Sequence, residues 1–138
     1  MHAEISAFIA WCSSKNKRII KKFAQIMRAC SRNIRPVRRF NYLFFDLNGW
    51  VCYVGVQGKD VKTDTLTIWF CQGVSLSKQN PALELVWQGQ AEGLRVVRKI
   101  KLDTLQDLQT YHLEELCRVV IAYNLEHNTH QERMAKKK

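Results

Sequence analysis

The dipeptide Asn48-Gly49 is the feature that most constrains the fold of this chain. It stands between two runs rich in aromatic and β-branched residues, at 40–47 and 50–57. Asn-Gly is the preferred pair of a two-residue type I′ turn, because both central positions of that turn need positive φ. The sequence therefore predicts an antiparallel hairpin here, and hence a sheet in the middle of the chain.

Two helices are predicted before this hairpin. Apolar residues recur at helical spacing over residues 5–12, and Ser13 and Ser14 then offer an N-cap to a second helix. The second helix has one apolar stripe and an opposite side lined by Lys and Arg. Its stripe consists of Ile19, Ile20, Phe23, Ala24, Met27 and Cys30. We expect Pro36 to end the helical region, because the residue before a proline leaves the helical basin.

The pattern after the hairpin alternates between strands and helices. A strand is predicted at 65–71, a short helix at 82–87 after Pro81, and a half-exposed strand near the sheet edge at 94–102. A turn of helix at 105–108 and a long helix over about 111–127 complete the chain. The prediction is an α+β, two-layer fold, in which a mostly antiparallel sheet is covered on one face by the N- and C-terminal helices.

Length and composition predict one globular domain. The chain has 138 residues, of which 46% are hydrophobic and 25% charged, and these fractions exclude intrinsic disorder. No apolar stretch approaches the ~20 residues that a membrane-spanning helix needs. We expect a single domain over 1–138, with basic N-terminal helices at about 3–33 and a frayed tail at about 129–138.

The five cysteines indicate a reducing compartment. No two stand at C-x-x-C spacing, their number is odd, and each has apolar neighbours. This pattern is typical of buried thiols rather than of a zinc site or a disulfide framework. It predicts a cytoplasmic protein.

Positive charge is concentrated at one end of the chain. The net charge is +10, and ten of the 22 basic residues stand in the first forty positions against a single acid, Glu4. Such a cluster is an electrostatic footprint for nucleic acid or another polyanion, with Phe40 and Tyr42 available to stack on bases. The alternative is a solvated helix face, since no helix-turn-helix, RNP or KH signature accompanies the charge. The predicted polyanion-binding residues are Lys17, Lys21, Lys22, Arg28, Arg32, Arg38 and Arg39.

Motifs for catalysis and metal binding are missing from the sequence. Ser75 follows Gly73, but Gly-Val-Ser-Leu is not the G-x-S-x-G elbow, and no phosphate-binding glycine loop occurs. His127 and His130 stand three apart, yet two ligands near a frayed tail make a poor metal site. We expect no catalytic residue, no metal and no cofactor.

A pocket, if the fold has one, is expected where the loop 73–81 meets the turn 89–93. Its predicted rim is Gly73, Ser75, Asn80, Gly89 and Arg95, with Arg95 as the charged wall. The four tryptophans are interpreted as core residues between sheet and helices rather than as the lining of a ligand site.

Short segments occur in a distinctive order between residues 14 and 124. They are the strand pair across Leu47-Asn48-Gly49, the run Phe70-Cys71-Gln72-Gly73-Val74-Ser75-Leu76, the pair Asn80-Pro81, and Arg95-Val96-Val97. In this order they resemble the YdhG-like family, a domain of unknown function. Two positions depart from the family pattern: Asn80 replaces its usual Asp, and Glu92 stands where lysine is frequent.

The leading interpretation is a small, YdhG-like, non-enzymatic binding or accessory module. The alternative, which comes from the basic N-terminal helix, is nucleic-acid or polyanion binding. Some members of the wider family are described as frataxin-like iron chaperones, which makes iron carriage a second alternative. Iron prefers carboxylate oxygen, whereas Lys17, Lys21 and Arg28 line the corresponding helix, so we discount that reading. The partner stays unknown. A monomer or weak dimer is expected, because Lys and Arg in the strand 94–102 disfavour edge pairing.

Overall fold

Two helices lead into a six-stranded sheet, and two further helices close the chain. The computed structural model describes residues 2–10, 12–47, 49–57, 65–71, 83–88 and 96–136. Its helices are α1 (Ala3–Ile9), α2 (Ser14–Cys30), α3 (Asp107–Thr110) and α4 (Leu113–Lys136). Its strands are β1 (Arg35–Arg39), β2 (Tyr42–Asp46), β3 (Trp50–Gln57), β4 (Thr65–Phe70), β5 (Glu84–Gln88) and β6 (Val96–Leu102). The strand order is β1-β2-β3-β4-β6-β5, and all neighbouring strands are antiparallel. The predicted α+β class is confirmed.

The helices share one core with one face of the sheet. Phe23 of α2 packs edge-to-face against Phe45 of β2, with ring centroids 5.5 Å apart. Ile68 of β4 and Ile100 of β6 lie in the same buried cluster, together with apolar residues of all four helices. Asn124 of α4 donates a 2.7 Å hydrogen bond from Nδ2 to the carbonyl of Leu47, which ties the last helix to the central hairpin. No helix in the described ranges is long and apolar enough to cross a membrane.

The basic helix α2 forms where the sequence predicts it but ends earlier. The Ser13 hydroxyl accepts a hydrogen bond from the N–H of Asn16, as an N-cap does. The helix ends at Cys30 because Ser31 is already extended. The expectation that helix continues to about residue 33 and is stopped by Pro36 is therefore wrong.

Pro36 lies instead in a strand that the sequence did not predict. In β1 it pairs with Phe45, and the register runs from Arg35 opposite Asp46 to Arg39 opposite Tyr42. A proline is compatible with this position because β1 is an edge strand, whose outward side needs no ladder hydrogen bond. The outward side is partly satisfied, since the Glu4 carboxylate of α1 accepts the Arg38 backbone N–H at 2.6 Å.

The hairpin predicted around Asn48-Gly49 is confirmed, but its two-residue turn is not, because Asp46 rather than Leu47 pairs with Trp50. Strands β2 and β3 pair around it, with a register shift between Phe45 and Asp46. Gly49 has φ 128°, and its N–H donates to the Asp46 carboxylate at 2.9 Å. Asn48 lies outside the described residues.

Three predictions in the second half of the chain differ from the structure. The short helix at 82–87 is wrong, because Glu84–Gln88 is strand β5, paired with β6. Pro81 favours a helix start, but Val86 and Trp87 after it favour a strand. Helix α4 continues to Lys136, so the predicted end of this helix near residue 127 is also wrong.

The third difference lies at the break between α3 and α4. The turn of helix expected at 105–108 begins at Asp107, whose carboxylate accepts the backbone N–H groups of Asp103 at 2.7 Å and Thr104 at 2.9 Å. Helix α4 begins at Leu113 rather than near 111, because His112 has φ 54° and separates the two helices. The strand expected at 94–102 is confirmed over Val96–Leu102 and lies next to the edge strand β5.

Candidate functional site

The other face of the sheet carries no helix in the part of the chain that the structure describes. Side chains alternate along a strand, so residues next to the buried Leu43 and Phe45 point to this second face. The register aligns Phe44, Tyr53 and Trp69 in one row across β2, β3 and β4. With two aromatic neighbours they form what we call the aromatic face: Tyr42, Phe44, Trp50, Tyr53 and Trp69.

The rings of the aromatic face contact one another closely. Phe44 lies 4.7 Å from Trp50 and 5.0 Å from Tyr53 between ring centroids. Tyr53 stacks on Trp69 at 5.0 Å with an angle of 10° between the rings, and Tyr42 meets Trp69 edge-on at 5.8 Å. Each such pair contributes roughly 0.5–1.5 kcal/mol beyond its area burial. The face is therefore a preordered surface, which does not depend on a ligand for its shape.

Glycine at position 55 determines where Tyr42 lies. Gly55 is opposite Thr67 in β4, and a Cβ atom added to it would stand 2.7 Å from two ring carbons of Tyr42. A Cβ would also stand 3.1 Å from the Trp69 ring. Only glycine lets the Tyr42 ring approach the sheet backbone this closely.

Basic side chains stand at both sides of the aromatic face. The Arg39 guanidinium carbon lies 5.6 Å from the Trp50 ring centroid, within cation–π range. Arg35 precedes it on β1, and Lys101 of β6 is aligned with Thr67, the neighbour of Trp69 on β4. All three are exposed. We call Arg35, Arg39 and Lys101 the basic rim.

The β1–β2 loop continues from one end of the aromatic face. It consists of Phe40 and Asn41, between the paired Arg39 and Tyr42. Phe40 is 88% exposed and has φ 55°, a left-handed conformation that costs a non-glycine residue about 1–2 kcal/mol. Tyr42 is 38% exposed, whereas Trp69 is 6% exposed. Exposed aromatic surface is therefore concentrated at this end of the face.

The predicted polyanion-binding residues do not share one surface. Lys21, Lys22 and Arg28 are exposed on the side of α2 away from its buried stripe, and Lys17 there is half-buried. Arg39 lies on the opposite face of the sheet, against Trp50. Arg32 is exposed after α2, and Arg38 is exposed on β1 with its side chain on the helix side, by alternation with Arg39.

The expected pocket rim cannot be placed. Gly73, Ser75, Asn80, Gly89 and Arg95 all lie outside the described residues. A groove of about 860 Å³ lies elsewhere, between α2 and the α3–α4 region. It is lined by both Lys22 and Glu115, and Glu114 pairs with Arg118 at 2.7 Å, so its opposite charges cancel.

Three of the cysteine thiols have a pKa above the ordinary value. Burial raises the pKa of Cys52 and Cys117 well above the ordinary value, and burial also raises the pKa of Cys30. A protonated, buried thiol is neither a nucleophile nor a metal ligand. All five cysteines are described, and none forms a disulfide. Within the described ranges, no three His, Cys, Asp or Glu side chains are grouped as metal ligands.

Sequence reasoning missed most of the aromatic face and the basic rim. It identified Tyr42 and Arg39 but did not assign a binding role to Phe44, Trp50, Tyr53, Trp69 or Lys101. Trp69 is buried, as predicted for a core residue, but it stacks on Tyr53 on the second face of the sheet rather than beneath the helices. Trp50 is half-buried on the same face, next to Phe44. A signal was available: β2 carries aromatic or large apolar residues on both of its faces, as Phe44 and Phe45 show.

The chain matches no protein-family model, no curated protein and no solved structure. The resemblance to the YdhG-like family therefore stays a prediction.

Proposed function

We propose that this protein is a non-enzymatic module that binds single-stranded nucleic acid on its aromatic face and basic rim. One observation carries the proposal: a sheet face with no helix over it in the described ranges holds half-buried and exposed aromatic rings. The Arg39 guanidinium lies within cation–π range of one of them, Trp50. Unpaired bases stack on aromatic side chains and on guanidinium planes, and each base stacked in this way contributes roughly 1–3 kcal/mol.

The shape of the face favours a single strand over a duplex. Strands in a sheet are about 4.8 Å apart, so the six strands extend over roughly 24 Å. The major groove of B-DNA is about 12 Å wide and admits only a helix or a two-stranded ribbon. A broad sheet face can therefore accommodate splayed bases but cannot enter a groove.

The charge distribution supports the same ligand. The basic rim provides cations next to the rings, where they would meet the phosphates of a strand whose bases stack. The exposed Lys and Arg of α2 lie on the opposite side of the molecule. They add long-range attraction for a polyanion rather than direct contacts.

The proposal includes a cytoplasmic location. Its support is the absence of any disulfide among the five cysteines, three of which are buried. Such thiols are typical of proteins in a reducing compartment.

Matched charge reversals test which basic surface binds. Fluorescence anisotropy with a labelled homopolymeric single strand of about 15 nucleotides covers the usual site size. We expect wild-type binding that weakens steeply with salt. The double variant Arg35→Glu with Arg39→Glu should lose at least about tenfold in affinity, and Tyr42→Ala about tenfold.

The control is Lys21→Glu with Arg28→Glu, which changes the net charge equally on α2. A small loss of single-strand affinity in this control supports binding on the aromatic face. A larger loss on α2 than on β1 would instead assign binding to the helix, as the charge pattern alone suggests. If wild-type protein binds no single strand at low salt, the proposal is wrong.

A further inference from the structure

We propose that Phe40 is a wedge that stacks on the last base pair where a single strand joins a duplex. The preferred ligand is then a single-strand–duplex junction, with the unpaired strand on the aromatic face. This inference rests on the proposed function and specifies its substrate class.

The conformation of Phe40 is unfavourable within the protein itself. Its side chain is 88% exposed, so it packs against almost nothing, and its φ of 55° is one that glycine adopts more easily. The next hairpin of the same sheet has Gly49 at its positive-φ position. A large aromatic residue held in strained backbone, without internal contacts, is typical of a position that acts on a ligand.

The loop that carries Phe40 is held firmly. Five consecutive residue pairs join β1 to β2, from Arg35 opposite Asp46 to Arg39 opposite Tyr42. The Glu4 carboxylate holds the Arg38 N–H from the other side, at 2.6 Å. A fixed loop presents its side chain without an ordering cost on binding.

Phe40 lies where a nucleic-acid strand bound on the aromatic face would end. Tyr42 connects the loop to the aromatic face. A nucleic-acid strand that crosses this face and passes Tyr42 therefore reaches Phe40 next. Phenylalanine is one of the apolar side chains that insert between base steps and unstack them. The exposed Arg39, which directly precedes Phe40 and pairs with Tyr42, is placed to contact phosphates at this end of the face.

Three labelled DNA ligands test the wedge: a single strand, a blunt duplex, and a duplex with a single-stranded extension. We expect wild-type protein to bind the extended duplex most tightly and the blunt duplex most weakly. Phe40→Gly should weaken binding to the extended duplex by about tenfold, the loss of one stacked base, and change single-strand affinity less than about twofold. Glycine suits φ 55°, so this variant keeps the fold.

A fluorescent base analogue reports the contact directly. With 2-aminopurine at the first unpaired position, wild-type protein should change the fluorescence, and Phe40→Gly should not. Leu105→Ala is the matched control, because Leu105 is also an exposed apolar residue, at 48%, but lies on the helical side. It should leave all three affinities unchanged.

The outcomes separate the two proposals. Equal losses for the single strand and the extended duplex would overturn the wedge and leave single-strand binding intact. No loss with Phe40→Gly on any ligand would also overturn it and indicate that Phe40 contacts a different class of partner. If wild-type protein binds no single strand and no extended duplex, both proposals fail together.

Discussion

The two faces of the sheet are built from alternate residues of the same strands, yet they differ in chemistry. On the helix side, Leu43, Phe45 and Ile68 are buried among the helices. On the other side, Phe44 and Tyr53 are only half-buried although they too are large aromatic residues. The helix side is aliphatic residues, phenylalanine and Cys52, whereas the other side adds tyrosine, tryptophan and arginine, which tolerate water at one end. The number of apolar residues on each face of a sheet therefore does not by itself predict which face the helices pack against.

The largest expected effect is on stability, and it compares how much each face of the sheet contributes to the free energy of unfolding. Phe23→Ala removes the ring that packs on Phe45, and we expect the free energy of unfolding to fall by about 3–5 kcal/mol. Urea denaturation measures it. Phe44→Ala, the matched change on the aromatic face, should cost clearly less because water already reaches that ring. Equal losses would mean that the two faces contribute alike to stability.

A second change tests how the aromatic face is ordered. Gly55→Ala places a Cβ against the Tyr42 ring, and we expect a loss of about 1–2 kcal/mol with a change in the near-ultraviolet circular dichroism. Adding Tyr42→Ala removes the clash, so the double variant should lose less than the two single losses combined. Strict additivity would show that Gly55 does not position Tyr42.

A third change affects the helical side alone. The pKa of Asp107 would rise through partial burial, but hydrogen bonds from the backbone N–H groups of Thr104 and Asp103 hold it below its ordinary value. Its stabilising contribution is therefore complete above the unfolded-state pKa and is lost as pH falls through the lower folded-state pKa.

Asp107→Asn should lower the free energy of unfolding by less than about 1 kcal/mol at neutral pH, because the amide oxygen still accepts the two N–H groups but lacks the charge that strengthens these bonds. The difference from wild type should disappear in strong acid. Thermal melting across pH measures both quantities. Nucleic-acid affinity should not change, since Asp107 is remote from the aromatic face; a reduced affinity would argue against the separation of the two faces.

The last effect has the opposite sign. Phe40→Gly relieves the left-handed backbone, and we expect the protein to become more stable by about 1 kcal/mol. Asn41→Gly next to it should instead destabilise slightly, because the φ of Asn41 is not positive and glycine adds entropy to the unfolded chain. Differential scanning calorimetry distinguishes the two. A destabilised Phe40→Gly variant would mean that the ring makes stabilising contacts.

The sequence predicted an element correctly where a single local pattern favoured it strongly. Asn48-Gly49 gave the central hairpin, and the stripe through Ile19, Phe23 and Met27 gave α2. Strand β1 was missed because Pro36 was interpreted as a helix terminator, although an edge strand also admits proline. Strand β5 was missed because Pro81 favours a helix start more visibly than Val86 favours a strand.

The site was harder to predict because it depends on long-range register. Phe40, Tyr42 and Arg39 are near neighbours in sequence and were identified together. Tyr53 and Trp69 join them only when β3 pairs with β4 in one register, which no local pattern defines. Lys101 joins the basic rim through a pairing across more than thirty residues.

The contact between Glu4 and the Arg38 N–H has a practical consequence for handling the protein. It occupies a donor that would otherwise be available to recruit a strand from another copy, the first step of fibril growth. Replacing Glu4 by Ala removes the acceptor, and concentrated samples of that variant should aggregate faster while their ligand binding stays the same.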